Sequence, residues 1–166
     1  MVNTVMRHFV FILLIPLFCC TKDKARANAK IEMYLLKSYQ MVSSKCQVDA
    51  STVTLENAPL VSNDEIITYS DTQHSYNLSV TAIQKINILP GRTPFALTID
   101  KEIVFFAVYM PHIMSSTCDQ SITMYANVSQ NKIFMNLGYP FASSTINEER
   151  NKPVLLATLR AQGKLR

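Results

Sequence analysis

The 166-residue chain contains no tryptophan and only three glycines, Gly91, Gly138 and Gly163. Glycines so few and so scattered exclude the Gly-rich loops that cradle phosphates, and glycine-repeat architectures with them. Charge is also sparse: 17% of residues are Asp, Glu, Lys or Arg, and the net charge is +4. Nucleic acid needs a clustered basic face, so no nucleic-acid partner is expected. Beyond His8 the histidines are His74 and His112, and no Cys-x-x-Cys occurs. A structural zinc site is therefore not expected, and no motif implies a cofactor. The sequence also lacks a Gly-x-Ser-x-Gly elbow, internal repeats and low-complexity tracts.

What is present reads as a folded chain. Hydrophobic residues make up 48% of it, enough for one core, and the length fits a single domain after a leader. One asymmetry lies at the end: Arg150, Lys152, Arg160, Lys164 and Arg166 follow Glu149 with no acid among them. The plainer reading is a terminal helix with basic residues near its C-terminus, where they complement the dipole. The alternative is a surface for an anionic partner.

The leader is the strongest signal. Met1–His8 carries Arg7 and no acid, and Phe9–Phe18 is a ten-residue apolar run. A membrane-spanning helix needs about 20 apolar residues, so this run is short for a span and right for a secretory signal. Its end reads Leu17-Phe18-Cys19-Cys20-Thr21-Lys22. This resembles the lipobox of bacterial lipoproteins, with Leu17 three residues before a cysteine that becomes the acylated first residue. Leu17 and Cys20 match. Phe18 and Cys19 depart from the small residues usual there, a departure that the looser lipobox of Bacteroidota tolerates. The resemblance implies cleavage after Cys19, lipidation (palmitate) at Cys20 and attachment to a bacterial membrane facing the periplasm or the exterior. The rival is an ordinary signal peptide or an uncleaved anchor. Residues 20–29 then form a tether and 30–166 the domain. With Cys19 removed and Cys20 acylated, Cys46 and Cys118 remain, and an oxidising compartment makes a disulfide between them the expectation. Two separate buried thiols are the alternative.

Along the domain, Lys30–Gln40 is ambiguous between strand and helix, with strand favoured. Met41–Asn63 reads mostly as loop, with a short strand near Thr52–Leu55. Asp64–Ser70 and His74–Ser79 read as strands around Asp71-Thr72-Gln73. Ser79 caps a short helix to Ile86, and a turn follows at Gly91–Pro94. Phe95–Asp100 and Ile103–Met110 form a hairpin whose second strand is apolar on both faces, as in a central strand. Pro111–Gln120 reads as loop, Ser121–Val128 and Lys132–Leu137 as a hairpin, Gly138–Arg150 as irregular, and Lys152–Gln162 as a helix with Pro153 in its first turn and Gly163 as its stop. The class is α+β: a mostly antiparallel sheet of five to seven strands, one short helix and a C-terminal helix.

Several features recur together between Asn63 and Thr123: Asp64-Glu65-Ile66, Tyr69-Ser70-Asp71, His74, the helix Ala82–Ile86, the strands Phe95–Asp100 and Ile103–Tyr109, and Ser115-Ser116. Their order is similar to a family of uncharacterised Bacteroidota-type lipoproteins. It is also faintly similar, at the helix and hairpin alone, to the periplasmic head domain of the translocase subunit SecD. Neither resemblance implies a catalytic residue.

The best polar cluster is Tyr69, Asp71 and His74, in which Asp71 would orient His74 for ligand binding or acid–base work. The plainer reading puts Asp71 in a turn and His74 at the head of the next strand. His112 shares a loop with Ser115, Ser116 and Asp119, but proximity in a loop does not make an aligned triad. The two sequons Asn77-Leu78-Ser79 and Asn127-Val128-Ser129 matter only in a eukaryotic secretory pathway. The expectation is a membrane-tethered, non-catalytic binding domain in the cell envelope, with Tyr69, Asp71, His74, His112, Ser115 and Ser116 as candidate ligand contacts. An envelope protein or a small molecule would be its partner. Alternatives are a small envelope hydrolase using a loop serine with His74 or His112, and an inhibitor or immunity-type lipoprotein.

Overall fold

The computed structural model describes residues 27–111 and 113–166. The expected leader, Cys20, most of the tether and His112 lie outside the described residues. Ala29, read as the last tether residue, belongs to the domain: it is buried, and its carbonyl accepts a bond from Gln162 Nε2.

Eight strands follow in chain order: β1 (Ile31–Ser38), β2 (Thr54–Leu55), β3 (Ile66–Ser70), β4 (Ser75–Leu78), β5 (Pro94–Ile99), β6 (Glu102–Tyr109), β7 (Cys118–Asn127) and β8 (Lys132–Tyr139). Helix α1 (Val80–Asn87) sits between β4 and β5, and α2 (Pro153–Ala161) follows β8. The class is α+β as expected, but the sheet has eight strands rather than five to seven, in the order β2-β1-β5-β6-β7-β8-β4-β3. β6 and β7 pair in parallel, and every other neighbouring pair is antiparallel. Residues 118–120, read as loop, are the start of β7. Residues 138–139, read as irregular, extend β8.

Two apolar faces explain the layering. On one face Phe105, Ala107 and Tyr109 of β6 join Ile31, Met33, Phe95 and Leu97 under Ile83 and Ile86 of α1 and Leu155 and Leu159 of α2. Each such large aliphatic side chain stabilises the fold by about 1.5–3 kcal/mol relative to exposure. On the other face Val108 and Met110 meet the Cys46–Cys118 pair, and Phe106 lies against Leu36, Val48 and Ala96. The doubly apolar β6 is thus a central strand covered on both sides, by helices on one and by Cys46, Val48, Val53 and Met114 on the other.

Local chemistry sets the element ends. Ser79 Oγ accepts from Ala82 N (3.1 Å) as the N-cap of α1, and Pro153 opens α2. Gly163 ends α2 at φ 68°, a conformation glycine adopts without a Cβ penalty. The β5–β6 turn lacks glycine, yet Asp100 and Lys101 both take left-handed φ, 52° and 67°, as a tight hairpin turn demands. Asp100 Oδ1 accepts from Lys30 N (2.8 Å), which compensates. Beyond α2 the chain runs parallel to edge strand β3: Tyr69 N donates to Lys164 O and Arg166 N to Tyr69 O, each at 2.8 Å, which covers the exposed ladder. The basic C-terminal run is correspondingly not a dipole complement. Arg160 alone sits in the last helical turn, while Arg150, Lys152 and Lys164 donate to the carbonyls of Met135, Val104 and Asn63.

Candidate functional site

Tyr69 ends the buried part of β3, and the turn after it carries Asp71 and His74. The Tyr69 hydroxyl lies 3.0 Å from Arg150 O and 2.9 Å from Asn151 Oδ1, so its one proton is shared between two acceptors. Asn151 Nδ2 in turn donates to Asp71 O (3.0 Å). The Arg150 guanidinium donates to Met135 O (2.8 Å) and grips the Glu148 carboxylate through Nε (2.9 Å) and a second nitrogen. This charge-assisted grip holds the Glu148 carboxyl below its ordinary range. Burial pushes the phenols of Tyr69 and Tyr76, whose tilted rings lie 4.3 Å apart, well above theirs.

His74 is not the first residue of β4. It stays in the turn at φ 48°, and its carbonyl accepts from Met135 N (2.9 Å). Burial lowers its pKa and the Arg150 charge adds to that, against the opposing pull of Glu148, Asn151 and Asp71. The ring is therefore neutral near pH 7, a proton acceptor in principle. Its surroundings, however, stitch the β3–β4 hairpin to β8 and to the segment before α2. Tyr69, Asp71 and His74 do come together, and three residues complete the knot: Arg150, noted in the sequence only as part of the basic run, and Glu148 and Asn151, which had no marker.

Ser115 and Ser116 belong elsewhere. Cys46 and Cys118 form a disulfide, 72 residues apart in sequence with their Cα atoms 5.1 Å apart, and both are buried. Around it lie two depressions. The larger, of about 760 Å³, is lined by Tyr39, Met41, the 42–46 loop and Arg92 on one side and by Ser115, Ser116, Thr117 and Asp119 on the other. The 42–46 loop is tight: Val42 N donates to Gln47 O (2.8 Å), and Ser44 takes φ 59°. Arg92 also takes a left-handed φ, 69°, with its N–H on Tyr109 O (2.7 Å). Two non-glycine residues held in that region line one cleft, a kind of strain that persists where surrounding structure over-determines it. The serine loop is fixed by Tyr139, whose hydroxyl bonds Met114 N (3.1 Å) and Met114 O (3.2 Å). Gly91 permits its close approach, since a Cβ there would lie 2.8 Å from Met114 Sδ. Ser116 Oγ is buried with no partner among the described residues. The cleft thus brings together hydroxyls, an aromatic ring, two cations and one carboxylate.

The smaller depression, about 180 Å³, is lined by residues just beyond the two half-cystines, Gln47 and Val48 after Cys46 and Gln120–Ile122 after Cys118, and by Phe106, Thr145–Asn147 and Glu149.

The expected contact set therefore divides in two: Tyr69, Asp71 and His74 gather around Arg150, and Ser115 and Ser116 face the 42–46 loop beside the disulfide. Strands β7 and β8 separate β6, which leads into the serine loop, from β4, which follows His74. Of the residues missed, Tyr39 and Lys45 were findable only through the cysteine pairing, which brings the flanks of Cys46 and Cys118 together, and Arg92, in the turn between α1 and β5, flanks neither cysteine. Among the described residues no three His, Cys, Asp or Glu side chains assemble as a metal site would need, and no helix is long and apolar enough to cross a membrane. Comparison with protein-family models, with curated proteins and with solved structures finds no match for this chain.

Proposed function

We propose that this chain is a bacterial lipoprotein of the Bacteroidota type. It is exported, held on a membrane through an acylated Cys20, and presents a non-catalytic binding domain to the cell envelope. The observation that carries the reading is the buried Cys46–Cys118 disulfide. Cytosolic reductants keep such pairs open, whereas export compartments close them, and this pair lies downstream of a leader that ends at a lipobox-like cysteine. The bond also fits a domain that must survive outside the cytosol. Closing a 72-residue separation contributes about 4 kcal/mol in the chain-entropy model. A diacylated, N-acylated cysteine supplies the multiple chains that stable anchoring requires. The contact surface for an envelope protein or small molecule is the larger cleft, which Arg92, Lys45 and Ser115 line.

The test is fractionation of cells expressing the wild-type chain and Cys20→Ser, with mass analysis of the mature N-terminus. Wild type should pellet with membranes and begin at an acylated Cys20. Cys20→Ser should lose the acyl mass and either leave the membrane fraction or retain its leader. A wild-type N-terminus at unmodified Met1, recovered with the cytosol, refutes the proposal.

A further inference from the structure

We propose that the smaller depression beside the disulfide is a binding site for one neutral, polyhydroxylated ring, a saccharide unit. Its walls are joined covalently: Gln47 follows Cys46 directly, and Gln120 stands two residues after Cys118. Gln120 also sits where the β7–β8 register slips, between Cys118 and Ile122. Irregularities of this kind re-aim a side chain out of the regular pleat. The Gln120 Oε1 atom is shut off from solvent and meets no donor among the described residues. A buried carbonyl oxygen without a donor is costly, and a turn of the Gln120 carboxamide toward the depression would let a ligand hydroxyl satisfy it.

The rest of the lining selects the ligand class. Gln47, Gln120 and Asn147 bring three carboxamides to one small space. Each offers both a donor and an acceptor, the pattern that neighbouring sugar hydroxyls complement. The one charged liner, Glu149, is already paired with Lys152 at 3.3 Å, so the site holds no free charge for an ion to meet. Phe106 and Ile146 add apolar surface for the C–H faces of a ring. At about 180 Å³ the depression is much smaller than the neighbouring cleft of about 760 Å³, which suits a single ring rather than a chain.

The site does not depend on the lipid anchor, so binding in vitro and membrane attachment fail separately. The acylated full chain, in micelles of a sugar-free detergent, is titrated with glucose, galactose, mannose and N-acetylglucosamine, and with short oligosaccharides of each. Side-chain amide resonances are followed by NMR. At least one sugar should shift the amides of Gln47, Gln120 and Asn147 saturably in the millimolar range, as expected for a ligand of about a dozen heavy atoms. Tighter binding of the oligosaccharide identifies a glycan chain as the source, and equal binding a free sugar. Gln120→Leu should weaken binding roughly tenfold or more while keeping or raising the denaturation midpoint, because it removes both the contact and the buried orphan. Gln47→Ala, at an exposed position, should weaken binding with the fold unchanged, and Arg92→Gln in the larger cleft should leave it intact. Absence of saturable shifts with every sugar overturns the proposal, as does full binding by Gln120→Leu or loss of binding in Arg92→Gln.

Discussion

Tyr69 and Tyr76 are a matched pair for measuring what a buried hydroxyl does in this fold. Both rings are fully buried, and they pack against each other in a tilted arrangement with centroids 4.3 Å apart. Tyr69 Oη donates into the Arg150–Asn151 knot, whereas Tyr76 Oη meets no partner among the described residues. Phenylalanine preserves ring and packing at either site, so no cavity contribution enters and the hydroxyl alone is removed. Tyr69→Phe strips two acceptors of their donor and should destabilise by about 1–3 kcal/mol. Tyr76→Phe removes an unsatisfied polar group and should be neutral or stabilise by up to about 2 kcal/mol. For a domain of this size each kcal/mol moves Tm by about 2–4 °C, so the two variants should separate by several degrees, Tyr69→Phe below wild type and Tyr76→Phe at or above it. Urea denaturation at constant m-value is the assay. Equal destabilisation by both variants would show that Tyr76 Oη is satisfied, and the reasoning would fail.

His74 makes stability pH-dependent. Its pKa is lowered on folding, by burial first and the Arg150 charge second, so the unfolded state takes up the proton more readily. Its contribution is complete above the unfolded value near 6.5 and is lost as pH falls below it. His74→Asn, which tolerates the left-handed backbone, should flatten the midpoint between about pH 7.5 and 5.5. An unchanged slope would remove His74 as its source. Both variant and wild type should weaken further below about pH 4.5. There Glu148 loses the grip of Arg150. Glu65, raised by burial but lowered more by Ser62 and Lys85, loses its bonds too. Lys101→Gly, at φ 67° in the β5–β6 turn, should stabilise by about 1 kcal/mol and raise Tm by about 2–4 °C. A drop in Tm would show that the lysine side chain contributes more than its backbone strain costs.

The elements legible in the sequence were those whose cause is local. Ser79 caps α1, Pro153 and Gly163 bound α2, and the apolar run of β6 marks a strand covered on both faces, because capping, proline geometry and burial periodicity act within a few residues. The cysteine count likewise identified the Cys46–Cys118 pair, since once two cysteines are assigned to the leader only one pairing remains. Strand order was beyond reach: nothing near Cys118 says that β7 pairs in parallel with β6, or that residues 164–166 cover the edge at Tyr69. The candidate site depended on the same long-range pairing. Arg150 and Asn151 reach Tyr69 across about 80 positions, and Gln47 reaches Gln120 through the disulfide. The sequence by itself determined the α+β class, the ends of the two helices and the one cysteine pairing. The tertiary structure alone decided which polar groups are consumed in stitching strands together and which stand free in a cleft, because that depends on what each side chain meets after the chain has closed on itself.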